Sequence, residues 1–156
     1  MSGVKEKRET NFLVGIFGGE NFEQRNLIGQ ALGSPGTKSD IQFYNRLDAG
    51  LGHVFCALTP VDYPDKIKPF LQTLTITNIH LLVIDLNIGL NAAIGEVLVG
   101  IDLHHQLHES RVLVIITGIN SKTEWKLADT TKKIENILST TSLKGSEIEK
   151  RKLRNM

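Results

Sequence analysis

Gly18 opens a stretch whose spacing bears on phosphate chemistry. A phosphate-binding loop reads Gly-x-x-x-x-Gly-Lys-Ser/Thr between a strand and a helix. Its backbone N–H groups cradle phosphate oxygens, the lysine neutralises the outer phosphates, and the hydroxyl holds magnesium. Counting from Gly18, Glu23 falls on the second glycine, Gln24 on the lysine and Arg25 on the hydroxyl residue. Glu23 and Glu20 bring negative charge beside a polyanion, and a like-charge pair at about 4 Å costs about 4 kcal/mol at an intermediate dielectric. Gln24 donates a hydrogen bond but supplies no positive charge. Arg25 compensates in part, because a helix N-terminus and a guanidinium together can hold an anion.

Other side chains invite chemical readings. His104 and His108 are i,i+4 neighbours on one helical face, a geometry that can hold zinc, with Asp102 or Glu109 adding an oxygen. There is no second ligand cluster, and the dipole at a helix C-terminus explains histidines there without a metal. Cys56 sits among Val54, Phe55, Ala57 and Leu58 and reads as a buried core thiol. Asp85 ends an apolar run and reads as a carboxylate bonded to nearby backbone N–H groups. Trp125 reads as a packing residue. The run from Lys144 to Met156 carries Lys144, Lys150, Arg151, Lys152 and Arg154; it reads as a solvated end, with an RNA-contacting arm as the functional alternative.

The elements that would position these residues follow from apolar periodicity. Strands are expected at Asn11–Phe17, His53–Leu58, Ile79–Leu86 and Arg111–Thr117, with a short edge strand at Ile41–Arg46. Helices are expected at Phe22–Leu32, Asp65–Leu74, Ala92–Leu107 and Trp125–Leu138, the last with Leu127, Ala128, Ile134, Ile137 and Leu138 inward. Gly33–Asp40 has the composition of a turn. Strands that alternate with helices and are uniformly apolar argue an α/β fold with a mostly parallel sheet and helices on both faces. In such sheets ligands bind at the carboxyl ends of the strands, which singles out the loops after Phe17, Leu58 and Ile116.

The chain has 156 residues, suited to one domain, with residues 1–10 a disordered lead, 11–139 the domain and 140–156 a basic polar tail. Eighteen basic residues nearly cancel seventeen acidic ones, so no global field points to nucleic acid or membrane. No apolar stretch is long enough to cross a bilayer, and the polar N-terminal lead does not resemble a signal peptide. The default location is the cytoplasm.

Three stretches, in order, carry a family resemblance: GTKSDIQFYN from Gly36 to Asn45, YPDKIKPFLQTLTITN from Tyr63 to Asn78, and IDLNIGLNAAIGEVLVGID from Ile84 to Asp102. From about Asn11 to Leu138 the chain resembles the GTP-binding domain of translation elongation factors of the EF-Tu class. The likeness is nearest to the SelB-like archaeal branch that includes EF-Pyl. It implies a three-layer, P-loop-type, G-domain-like fold, here lacking the last strand and helix. The family's Gly-His-Val-Asp-His-Gly-Lys-Thr loop falls on Gly18 to Arg25. Its Asp-x-x-Gly, followed by a histidine that positions water, falls on Thr59 to Asp62 and then Tyr63. Its guanine-reading Asn-Lys-x-Asp falls on Thr117, Gly118, Ile119 and Asn120. Thr59 lacks the carboxylate that steers magnesium, and Asn120 cannot accept both guanine N–H groups.

The resemblance therefore implies a pseudo-GTPase acting as a binding module, with no catalytic residue, no metal and no cofactor, whose partners would be the ribosome, RNA or a translation protein. Two alternatives stand beside it. One is a residual GTPase that binds GTP and magnesium with Arg25 in place of the lysine. The other is a self-associating or partner-binding protein that uses a face left bare beside Arg111–Thr117.

Overall fold

The longest apolar runs of the sequence occupy the middle of the sheet, where both faces are covered. A computed structural model describes residues 10–152. The elements are β1 (Thr10–Gly18), α1 (Phe22–Leu32), β2 (Ser34–Lys38), β3 (Ile41–Asp48), β4 (His53–Pro60), α2 (Ile67–Ile76), β5 (Ile79–Asp85), α3 (Ala92–Leu107), β6 (Arg111–Thr117), a single 3-10 turn (Glu124–Lys126), α4 (Leu127–Ser139) and β7 (Glu147–Lys150). Among the described residues the strands form one sheet in the order β2-β3-β4-β1-β5-β6-β7. β4, β1, β5, β6 and β7 run parallel, while β2 and β3 are antiparallel additions at one side. Helices cover both faces, so the α/β architecture is as the apolar periodicity predicts.

Two cores lie on either side of the sheet. On one face Phe17, Leu82, Ile84 and Ile116 pack against α2, α3 and α4 through Phe70, Val97, Ile101 and Ile134. On the other face Val14, Ile16, Ala57 and Tyr44 pack against α1 through Ile28. The parallel register carries Gly18, Pro60, Asp85 and Thr117, the last residues of β1, β4, β5 and β6, to the same end of the sheet.

Several expectations are corrected. Gly33–Asp40 is not simply a turn: Ser34–Lys38 is the edge strand, pairing Ser34 with Asn45 and Lys38 with Gln42, and β3 lies inside it. Gly33 allows this, because a Cβ there would sit 2.8 Å from the Asn45 backbone; the chain leaves α1 directly against β3. The last strand is not missing. β7 pairs in parallel with β6, Leu113 opposite Glu147 and Ile116 opposite Lys150, and Leu143 is 1% exposed in the core. Its charges hid it, since only Ile148 of the four residues packs inward. The β6 edge expected to lie bare is therefore paired. No helix follows β7 among the described residues.

At the remaining free edge, β2 carries Pro35 and Lys38 with a register shift between them, features that blunt strand addition. Trp125 is 76% exposed rather than packed, and Ile137 is also exposed. Cys56 is half-buried rather than in the core, and burial raises its thiol pKa. Residues 1–9, most of the expected lead, and residues 153–156 lie outside the described residues. No helix among the described residues is long and apolar enough to cross a membrane.

Candidate functional site

α1 starts early, and that decides the shape of the loop after β1. Asn21 caps it, its side chain accepting from the Glu23 N–H at 3.1 Å. Helix thus begins at Phe22, ahead of Glu23 and Gln24, and only Gly19, Glu20 and Asn21 separate it from β1. The Asn21 side-chain amide also donates to Asp85 Oδ2 at 2.7 Å. The loop is thereby tied to the end of β5, and a carboxylate sits beside the end of a helix that otherwise favours anions.

Arg25 points the other way, toward β4. Its side chain is 1% exposed. Nε donates to Thr59 Oγ1 at 3.0 Å, Nη1 to the Gly19 carbonyl, and Nη2 to the Pro60 carbonyl at 2.9 Å and the Val61 carbonyl at 3.4 Å. The Thr59 hydroxyl donates to the Ile16 carbonyl at 2.8 Å, which leaves its oxygen free to accept from Arg25. Burial pulls the guanidinium down to about 10 while Tyr44 and Tyr63 pull the other way; it remains a cation at neutral pH. Carbonyl and hydroxyl oxygens surround it, and among the described residues no carboxylate pairs with it. This is how a protein holds a buried positive charge by dipoles alone.

The remaining motif positions are also met from within. Gln24 lines a small cavity with Gly19, Asn21, Asp85 and Asn91, and its Oε1 is buried without a hydrogen bond. The cavity holds about 10 Å³, room for one water. Asp85 Oδ1 accepts from the Asn87 backbone and side chain, both at 2.9 Å, as expected of a strand-end carboxylate. Gly118 has φ +71°, and a Cβ there would fall 2.2 Å from Asp85 Oδ1; the side chain that the family has at this position has no room. Asn120 Oδ1 accepts from the N–H groups of Lys122 and Thr123, at 2.8 and 3.2 Å, so it shapes its own turn. Thr117 Oγ1 is buried without a partner. Asp62 pairs with Lys66 at 3.3 Å, and Glu23 is exposed at the start of α1.

Tyr63, at the position of the water-positioning histidine, is buried. Its hydroxyl donates to Glu96 Oε2 at 2.9 Å and lies 3.0 Å from the Ala93 carbonyl. Burial and the Glu96 bond both push its pKa up.

The histidines lie elsewhere. His104 stacks edge-on against His80 of β5, with ring centroids 4.8 Å apart, and His108 lies at the same distance from His104. His108 is the C-cap of α3. Among the described residues no three metal-binding side chains converge. A hollow of about 960 Å³ opens at the opposite end of the sheet, between Asn11, Asn78 and the turn from His105 to Arg111. None of the phosphate-motif positions reaches it. Sequence reasoning missed Asn21 and its bond to Asp85, although an asparagine directly before a helical run is a capping signal.

The sequence matches no protein-family model. It is 29% identical over 139 residues to an uncharacterized protein of Methanocaldococcus jannaschii, covering 86% of this chain and 37% of that one. The fold is that of the G domain in SelB-type elongation factors. Translation elongation factor SelB from Methanococcus maripaludis, in complex with the GTP analogue GppNHp, superposes with a TM-score of 0.71 at 20% identity, over 93% of this chain and 30% of that one. A bacterial selenocysteine-specific elongation factor superposes with a TM-score of 0.71 at 14% identity, over 92% and 26%. The apo form of the Methanococcus SelB gives 0.67 at 20%, over 94% and 30%. The chain thus spans about a third of the length of these proteins.

Proposed function

We propose that this chain is a pseudo-GTPase: a G-domain fold, related to translation elongation factors, that works as a binding module in the cytoplasm and does not hydrolyse GTP. The observation that carries this reading is the seat of Arg25. Its guanidinium bonds Thr59 Oγ1 and the carbonyls of Pro60 and Gly19, around the two positions from which a G domain holds magnesium. A magnesium ion brought to that corner would stand beside a fixed positive charge. At 4 Å and an effective dielectric of 20 the repulsion is about 8 kcal/mol, twice that of a unit pair. Gln24 adds no cation for the outer phosphates, and Asp85 and Glu23 oppose a polyanion. Its partners are then surfaces of the translation machinery: the ribosome, an RNA or another translation protein.

A residual GTPase that used Arg25 to hold phosphate would have to pull it out of its carbonyl seat. Isothermal titration with GTP and GDP, with and without magnesium, separates the two readings. No heat of binding is expected up to millimolar nucleotide; micromolar affinity, weakened by Arg25→Ala, would establish the residual binder instead.

A further inference from the structure

In a protein that changes shape with its ligand, the moving segment takes its contacts from that ligand and loses them on release. The segment joining β4 to α2 here takes its contacts from its own chain: from α1, α2, α3 and the residue before β3. From α1, Arg25 donates to the carbonyls of Pro60 and Val61. From α3, Glu96 accepts the Tyr63 hydroxyl, while the Tyr63 ring, 3% exposed, packs 5.0 Å from Phe70 of α2. Just before β3, the Asp40 carbonyl accepts the Val61 N–H at 2.9 Å, and the Asp40 carboxylate pairs with Lys66 at 3.0 Å. Lys66 N–H closes the turn onto the Asp62 carbonyl at 3.0 Å. The surface pairs of Lys66 contribute little. Tyr63 matters more: releasing the segment would carry a ring that is 3% exposed out of the core into water and break its bond to Glu96, whereas Arg25 would lose the Val61 carbonyl and keep Thr59, Gly19 and Pro60.

We propose that residues 61–66 are a strap fastened by Arg25 and Tyr63 in one conformation, so that the module presents this surface permanently rather than in response to nucleotide. The proposal rests on the pseudo-GTPase reading for its biological sense, but its test is separate. Hydrogen–deuterium exchange of the full chain follows the Val61 and Lys66 amides, the two bonded N–H groups of the strap. Both are expected to exchange at least about a hundredfold more slowly than in a free peptide, as bonded amides outside fraying segments do. Millimolar GTP with magnesium is expected to leave them unchanged.

Tyr63→Phe keeps the ring and loses the bond to Glu96. It is expected to speed exchange about tenfold in the strap while β5 and β6 amides stay protected. Glu96→Gln retains an acceptor and is expected to lie between wild type and Tyr63→Phe. Free exchange of Val61 and Lys66 in the wild type overturns the strap, as does a Tyr63→Phe protein with unaltered strap exchange. If nucleotide binds and the strap stays protected, the pseudo-GTPase reading falls and the strap stands. If nucleotide fails to bind and the strap exchanges freely, the reverse holds. Nucleotide binding that changes strap exchange removes both.

Discussion

Buried charge and buried imidazole put opposite demands on single side chains of this protein. Arg25 meets the first demand by spreading its N–H groups over oxygens from β4, from Val61 just after it, and from the loop between β1 and α1. A lysine could not imitate that fork, since its three donors radiate from one nitrogen. His80 meets the second demand by staying neutral. It is fully buried, its Nε2 lies 3.1 Å from the Thr77 carbonyl, and burial lowers its pKa to about 4, helped by His104 and His105 and opposed by the carbonyls of Thr77 and Leu74. Between pH 6.5 and 4 the unfolded chain therefore takes up a proton that the folded chain refuses. Stability present above pH 6.5 drains away as pH falls toward 4, by up to about 3 kcal/mol from this group. Urea denaturation at pH 7 and pH 4.5 should show the loss, and His80→Leu should flatten it relative to wild type. Of the site, counting onward from Gly18 gives Glu23, Gln24 and Arg25, while Thr59, Asp62, Thr117 and Asn120 come only through the family resemblance. The destination of the Arg25 head was not legible, because it depends on Thr59, which lies 34 residues away in sequence.

At the level of elements, α1 is held against β3 by a fit that helix propensity would misjudge. A Cβ on Gly29 would stand 2.3 Å from the Tyr44 ring, and Tyr44 is fully buried with its hydroxyl bonded to Asn26 at 2.6 Å. Propensity alone favours alanine in a helix by about 1 kcal/mol, but overpacking a fixed ring costs about 1–3 kcal/mol. Gly29→Ala is therefore expected to lower the thermal midpoint. Gly95→Ala on α3, where a Cβ meets nothing within 4 Å, is expected to raise it; a pair of melts decides both signs. Periodicity places α1 and α3 to the residue, each lying between an asparagine cap and a turn. It placed α2 two residues early at each end, with Pro69 in the first turn as required. It missed β2 and β7, which lie at the sheet edges, where strands carry proline, glycine or charge and have one face at most to bury.

For the molecule as a whole, β7 closes the sheet beside the apolar run of β6. Removing residues 147–156 would leave the N–H and C=O groups of β6 that face β7 unpaired along Leu113–Ile116, a template for another chain. Sedimentation velocity is expected to show the wild type with a concentration-independent coefficient at that edge and the shortened chain associating as concentration rises. A coefficient for the shortened chain that does not vary would mean that β7 protects nothing. The seat of Arg25 has a consequence of another kind. A bound ion is borrowed from the surroundings, and its occupancy follows supply, dilution and chelation. A guanidinium built into α1 is present in one copy per polypeptide from the moment of synthesis, so this corner of the fold keeps its charge whatever the cellular magnesium or guanine nucleotide pools do.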